Sequence, residues 1–269
     1  MTLTDEQKAI AKIQAQGCRR WMSLIILAPV LGCVILTILA PSISDMLAKR
    51  EANQQCQNLP SQTTLVTNST LYTDDTFTSE IVISADNLEA LSLLGETVLD
   101  TAINSRDRST AIAHPSNDYT IYTVFIPDDT MNFFICDSDT ALGAFSADGS
   151  AGDVVFNTDG SLFAVADGDN SRVLVFDGVD IARRETLTLD DSSDNQTVDS
   201  VAFHPTEALL FFTAENELFV YETVNFRQLL RLPISETNQH EIGFNAEATL
   251  LYLIHTGDTA QARVWAIGE

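Results

Sequence analysis

Four polar residues open short apolar runs in the second half of the chain: Asp153, Asp199 and the adjacent pair His240-Glu241. Carboxylates brought together from several such runs would supply hard oxygen ligands for a divalent cation, or an anionic seat for a cationic ligand. The other histidines have a different setting. His114 and His204 each stand between an apolar run and a proline and are expected to serve turns, while His255 ends an apolar run and reads as structural. Asp167-Gly168-Asp169-Asn170 begins like a calcium loop without the Glu that would complete it. Gly, Asp and Asn are equally what a tight turn requires, so a turn is the expectation there. The sequence contains no Gly-x-Ser-x-Gly elbow, phosphate-binding glycine loop or His-Glu-x-x-His helix. A protein that is not an enzyme is expected, with no cofactor unless Asp153, Asp199, His240 and Glu241 hold a divalent cation. A hydrolase would need paired carboxylates in one concave pocket.

Residues 21–40, from Trp21 to Ala40, carry no charge. As a helix they would reach about 30 Å, the thickness of a bilayer core. Lys8, Lys12, Arg19 and Arg20 precede this run and only Lys49 and Arg50 follow closely. The positive-inside rule then puts residues 1–20 in the cytoplasm as a short helical segment and the rest of the chain outside, at a cell membrane. A retained signal anchor is expected; a peptide cleaved near Ser42-Ile43-Ser44 is the alternative, since cleaved signals have shorter apolar cores. Residues 41–80 are polar and read as a stalk, with strands at Thr63–Val66 and Ser79–Ser84. In that topology Cys18 lies on the cytoplasmic side and Cys33 in the span. Cys56 and Cys136 alone face an oxidising compartment. They either form a disulfide between stalk and domain, or Cys136 is a small buried hydrophobe.

The charge is uneven. Acidic residues number 38 against 14 basic ones. After residue 59 the balance is 34 acidic to 8 basic residues, a net of −26, and none of the eight is lysine. Such a surface repels phosphate backbones, which excludes nucleic acid as a partner and favours basic protein surfaces or cations. It also keeps the domain soluble.

The carriers of these residues recur. Ala111-Ile112-Ala113, Val154-Val155-Phe156, Val201-Ala202-Phe203 and Ile242-Gly243-Phe244 are each followed by a polar turn and a second apolar run. Phe134-Ile135-Cys136-Asp137, Leu174-Val175-Phe176-Asp177, Phe219-Val220-Tyr221-Glu222 and Arg263-Val264-Trp265-Ala266 form a third. Ala113, Phe156, Phe203 and Phe244 are spaced by 43, 47 and 41 residues, the period of a four-stranded propeller blade. With Asn157-Thr158-Asp159-Gly160 and His204-Pro205 at the first turn, and Phe176-Asp177 and Tyr221-Glu222 closing the third strand, residues 86–269 resemble the WD-repeat β-propellers. No Gly-His or Trp-Asp step is present. The resemblance implies an all-β ring over residues 81–269, with four recognisable four-stranded blades behind one transmembrane helix. Thr140–Phe145, Arg184–Leu189 and Arg227–Leu232 fit outer strands, and the last repeat has none. The run Asn87–Leu94 is expected to close it, which removes a free edge.

Propellers host many unrelated activities, so the fold alone names no job. The expected function is a membrane-tethered, extracytoplasmic interaction or scaffold module with a protein partner. A ligand- or cation-binding sensor is the alternative. Four blades also leave open a homodimer in which two chains share one larger ring.

Overall fold

The computed structural model describes residues 48–59, 64–66, 77–98, 110–116, 119–126, 130–148, 153–168, 170–189, 197–214, 216–234, 240–255 and 261–268. The expected cytoplasmic segment and span, 1–40, lie outside these residues. Among the described residues no helix is long and apolar enough to cross a membrane. The chain divides into two compact units, Met1–Glu51 and Ala52–Glu269. The first is described only over 48–51, which are helical.

The second unit is built from β-strands. β1 (Thr64–Val66) and β2 (Leu91–Val98) come before the repeats. Blade 1 is β3 (Thr110–Ala113), β4 (Tyr119–Ile126), β5 (Thr130–Asp137) and β6 (Thr140–Asp148). Blade 2 is β7 (Val154–Phe156), β8 (Leu162–Asp167), β9 (Arg172–Asp177) and β10 (Arg183–Thr188). Blade 3 is β11 (Val198–Phe203), β12 (Leu209–Ala214), β13 (Glu217–Glu222) and β14 (Gln228–Pro233). β15 (His240–Phe244), β16 (Leu251–His255) and β17 (Gln261–Ile267) begin blade 4, and β2 completes it. Within each blade the strands run antiparallel in sequence order, and β11 lies against β7 and β8 on one side and β15 on the other. First strands are therefore inner and fourth strands outer. This is a propeller-like arrangement of four four-stranded blades.

Sandwiching explains why the inner runs show no alternation. Every residue of β11 and β12 is buried, because blade 3 lies between blades 2 and 4. The outer strand β10, by contrast, is exposed over Arg183-Arg184-Glu185. Phenylalanines fill the seams. Phe145 and Phe163 both stack on Phe176 between blades 1 and 2, at 4.9 and 4.7 Å. Phe212 and Phe219, cross-strand neighbours in blade 3, stack within the cluster shared with blade 2, and Phe211 meets Phe244 edge-on between blades 3 and 4. Each such side chain contributes about 1.5–3 kcal/mol by burial.

The fourth strand of blade 4 comes from the expected region with a shifted boundary. Leu91–Val98, rather than Asn87–Leu94, pairs antiparallel with β17, and Leu88–Ala90 form a 3-10 turn. The strand expected at Ser79–Ser84 is not formed. Asn87 shapes that segment instead, its Oδ1 accepting from the Ser84 N–H and its Nδ2 donating to the Val82 carbonyl. The segment read as a polar stalk is in part docked on the ring. Residues 52–58 are helical, and Ala52 and Cys56 lie on Tyr122, Phe134 and Cys136 of blade 1. Cys56 and Cys136 are joined as a disulfide across 80 residues. Asn53 Oδ1 accepts from the Ala141 N–H at 2.8 Å. β1 adds in parallel to the inner edge of β3, so the first sheet has five strands. On blade 4 the ring of Phe77 packs against the cluster containing Tyr252 and Val264.

Candidate functional site

Strand direction sorts the loops into two faces. First strands begin, and second strands end, on one face; the turns after first and third strands lie on the other. Asp153 directly precedes β7, Asp199 is the second residue of β11, and His240 and Glu241 open β15, so all four stand on the strand-start face. They do not occupy one equivalent position. Counted back from Phe156, Phe203 and Phe244, Asp153 matches Ser200 and Glu241, whereas Asp199 and His240 come one residue earlier. Neighbouring strand positions face opposite sides. Asp199 is moreover the extra residue of a bulge between Val198 and Ser200 and is 9% exposed. Ser200, at the matching position, uses its Oγ to accept the Ile242 N–H of the next blade at 3.2 Å. Among the described residues no three His, Cys, Asp or Glu side chains stand close enough together to hold a metal ion. His240 and His255 are directly opposite one another across the β15–β16 pair.

The turn face holds the more elaborate polar construction. His114 follows β3 and is buried. Its Nδ1 accepts the Ser116 N–H at 2.9 Å, which leaves the proton on Nε2, and Nε2 donates to the Gly160 carbonyl of blade 2 at 2.8 Å. Gly160 has a φ of 74°, and a Cβ there would collide with the His114 ring. The Tyr119 hydroxyl donates to the Gly178 carbonyl at 2.7 Å, and a Cβ on Gly178 would meet the Gly160 carbonyl. Burial, then the nearby Asp177 charge, pushes the Tyr119 phenol well above its ordinary value, so it stays a donor. Thr158 continues the chain of bonds, donating from Oγ1 to the Pro205 carbonyl of blade 3 at 2.7 Å.

His204 repeats the design with one substitution. Its Nδ1 accepts the N–H groups of Thr206 and Glu207, at 3.2 and 2.9 Å. Ala248 stands where Gly160 does in blade 2, with a φ of 57°, but its carbonyl accepts the Ile83 N–H at 2.9 Å. The Ile83 carbonyl faces the His204 ring without closing a full hydrogen bond. A segment from before the ring is thus inserted at the blade 3–4 seam. Burial pushes the His204 imidazole down to about 4, with the Ile83 carbonyl opposing the shift. Both histidines are turn residues with a joining role.

The calcium-like sequence is a turn. Asp167 is fully buried and bonded by Arg172 and by Asn170 Nδ2, so its carboxylate is engaged within the hairpin. The third-strand acids behave similarly. Asp177 accepts from the N–H groups of Val179 and Asp180, which together with Arg184 hold its carboxyl below the usual range. Arg227 pairs with Glu222, Arg231 with Glu217 and Arg263 with Glu96.

Comparison with known proteins finds a likeness among solved structures alone. No family model matches the sequence, and no curated protein does. Among solved structures the chain is similar to the Dos1 propeller, at 14% identity and a TM-score of 0.43, over 58% of this chain and 40% of that one. It is also similar to the β-propeller domain of Myceliophteria thermophila Cps50 (Swd1), at 14% identity and a TM-score of 0.46, over 60% and 51%. The matches span about half or less of those proteins. The blade assignment rests on the strand pairing described above.

Sequence reasoning missed Asn53 and Ile83. Both lie in a region whose polar composition hides single anchoring residues.

Proposed function

We propose that this chain is a protein-interaction or scaffold module: a propeller tethered at a cell membrane by residues 21–40, with the N-terminus cytoplasmic and the ring outside. It acts without catalysis and needs no cofactor. One observation carries the reading. Among the described residues, His114, Tyr119 and Asp167 hold blades and turns together through Gly160, Gly178 and Arg172. Binding by surface contact is the activity such a ring supports.

The disulfide supports the extracytoplasmic placement. Cys56 and Cys136 are the pair that the single-span topology puts outside, and disulfides persist in oxidising compartments. The test uses the full chain in its own membranes. A membrane-impermeant maleimide applied to intact cells should label neither Cys56 nor Cys136 before reduction and both after reduction and unfolding. Zero-length carbodiimide crosslinking, which joins the domain's carboxylates to a partner's amines, should then yield a species heavier than the 29.4 kDa chain. Labelling that appears only after the cells are lysed overturns the placement, and a chain that crosslinks to nothing overturns the interaction role.

A further inference from the structure

The outer rim of the propeller consists of β6, β10, β14 and β2. An outer strand presents unpaired N–H and C=O groups, and natural proteins guard such edges with charge, proline or cover. Two of the four are well guarded and a third in part. β10 opens with Arg183-Arg184-Glu185 and β14 contains Arg231 and ends at Pro233, whereas β2 exposes Leu93 and Leu94 but carries Glu96 in an ion pair with Arg263. β6 is different. It reads Thr-Ala-Leu-Gly-Ala-Phe-Ser-Ala-Asp, nine residues with no Lys, Arg, Glu or Pro. Leu142 is 48% exposed and Ala144 is exposed as well. Among the described residues no strand pairs with its outer side, and only the Ala141 N–H is capped, by Asn53.

We propose that the outer edge of β6 receives an added strand from a partner protein, an extended apolar segment flanked by lysine or arginine. This deepens the interaction reading above and rests on it. Main-chain hydrogen bonds along the edge would supply affinity, and alternate side chains would lie over Leu142 and Ala144. Charge selects the occupant. Asp137 and Asp139 are exposed at one end of the strand, and Asp148 is its last residue. A second copy added antiparallel would set Asp148 against the Asp139-Thr140 end, acid beside acid at both limits of the pairing. A parallel copy would align like with like. Basic flanks meet the same acids favourably.

The experiment is fluorescence anisotropy with the full chain in detergent. The probe is a labelled synthetic peptide of three Val-Thr repeats between lysine pairs. Saturable binding is expected. Leu142→Lys combined with Ala144→Lys should weaken it at least tenfold, whereas Thr188→Lys on the edge of blade 2 should leave it unchanged. If the double variant melts below the parent, Ala144→Lys alone carries the test. The same peptide with glutamate flanks should bind at least tenfold more weakly. Equal binding by the edge variants, no binding of the lysine-flanked probe, or self-association abolished by Ala144→Lys each overturns the proposal. A probe that fails while the chain still crosslinks to a protein in its membrane overturns the edge and leaves the interaction role standing.

Discussion

Between pH 7 and pH 4 the unfolded chain takes up a proton on His204 that the folded ring resists. A free imidazole titrates near 6.5, and burial holds His204 at about 4. The folded-state value is depressed, so stability is fully present above 6.5 and is lost as the pH falls toward 4. That gap amounts to about 3 kcal/mol of unfolding free energy by pH 4. The 34 carboxylates after residue 59 titrate over part of the same range, so the parent curve alone does not isolate the histidine. His204→Asn does, since its side-chain oxygen can accept the Thr206 and Glu207 N–H groups and has no proton to gain. Urea unfolding of both proteins, followed by tryptophan fluorescence from pH 7.5 to 4, is the assay. At neutral pH the variant should be less stable by about 1–2 kcal/mol, from lost packing on Phe244. The difference should close and reverse toward pH 4 by about 3 kcal/mol in total. Two curves that stay parallel across the range would refute the reasoning.

Cys136→Ser should lower the unfolding free energy by about 4 kcal/mol, because the disulfide closes an 80-residue span in the unfolded chain; reduction of the parent should give the same loss in a urea melt. Gly160→Ala should cost about 2 kcal/mol or more, since it combines a left-handed backbone with a collision against His114; Ala248→Gly, at the matching turn, should be neutral or stabilising. Arg172→Met leaves the buried Asp167 without its cation and should destabilise by about 3 kcal/mol, read by thermal melting. Millimolar calcium should leave the melting temperature unchanged, and an upward shift would favour the cation-sensor alternative.

The repeats were legible because each blade writes the same three apolar runs, and because the residues that make turns are chemically distinctive. Asn157 and Asn245 each use Oδ1 to accept a backbone N–H five residues on, and both stand in the turn that the sequence pattern marks. The closing strand was legible as the one missing from the last repeat. Its start was not, since Leu88 belongs to the core from a 3-10 turn and continues the same apolar character. The docking of residues 52–58 was hidden for a different reason. Contact runs through Ala52 and Cys56, one i, i+4 pair within Asn, Gln and Glu, too narrow a stripe to register as periodicity. The strand-start residues all open inner strands, but a bulge puts Asp199 out of step with Asp153 and Glu241. Bulges depend on partner strands, and a single run does not announce them.

The disulfide also sets a path for mechanical load. Tension applied to the chain ahead of Ala52 reaches Cys56 first and passes through the covalent bond into β5 at Cys136. The chain between them, including β2, which pairs with β17 to complete blade 4, lies in the bridged loop. Hydrogen bonds in that pairing, which would otherwise peel one at a time from a pulled end, are spared. With Cys56 reduced, the same pull would be delivered to β1 and then to β2, and blade 4 would lose its outer strand.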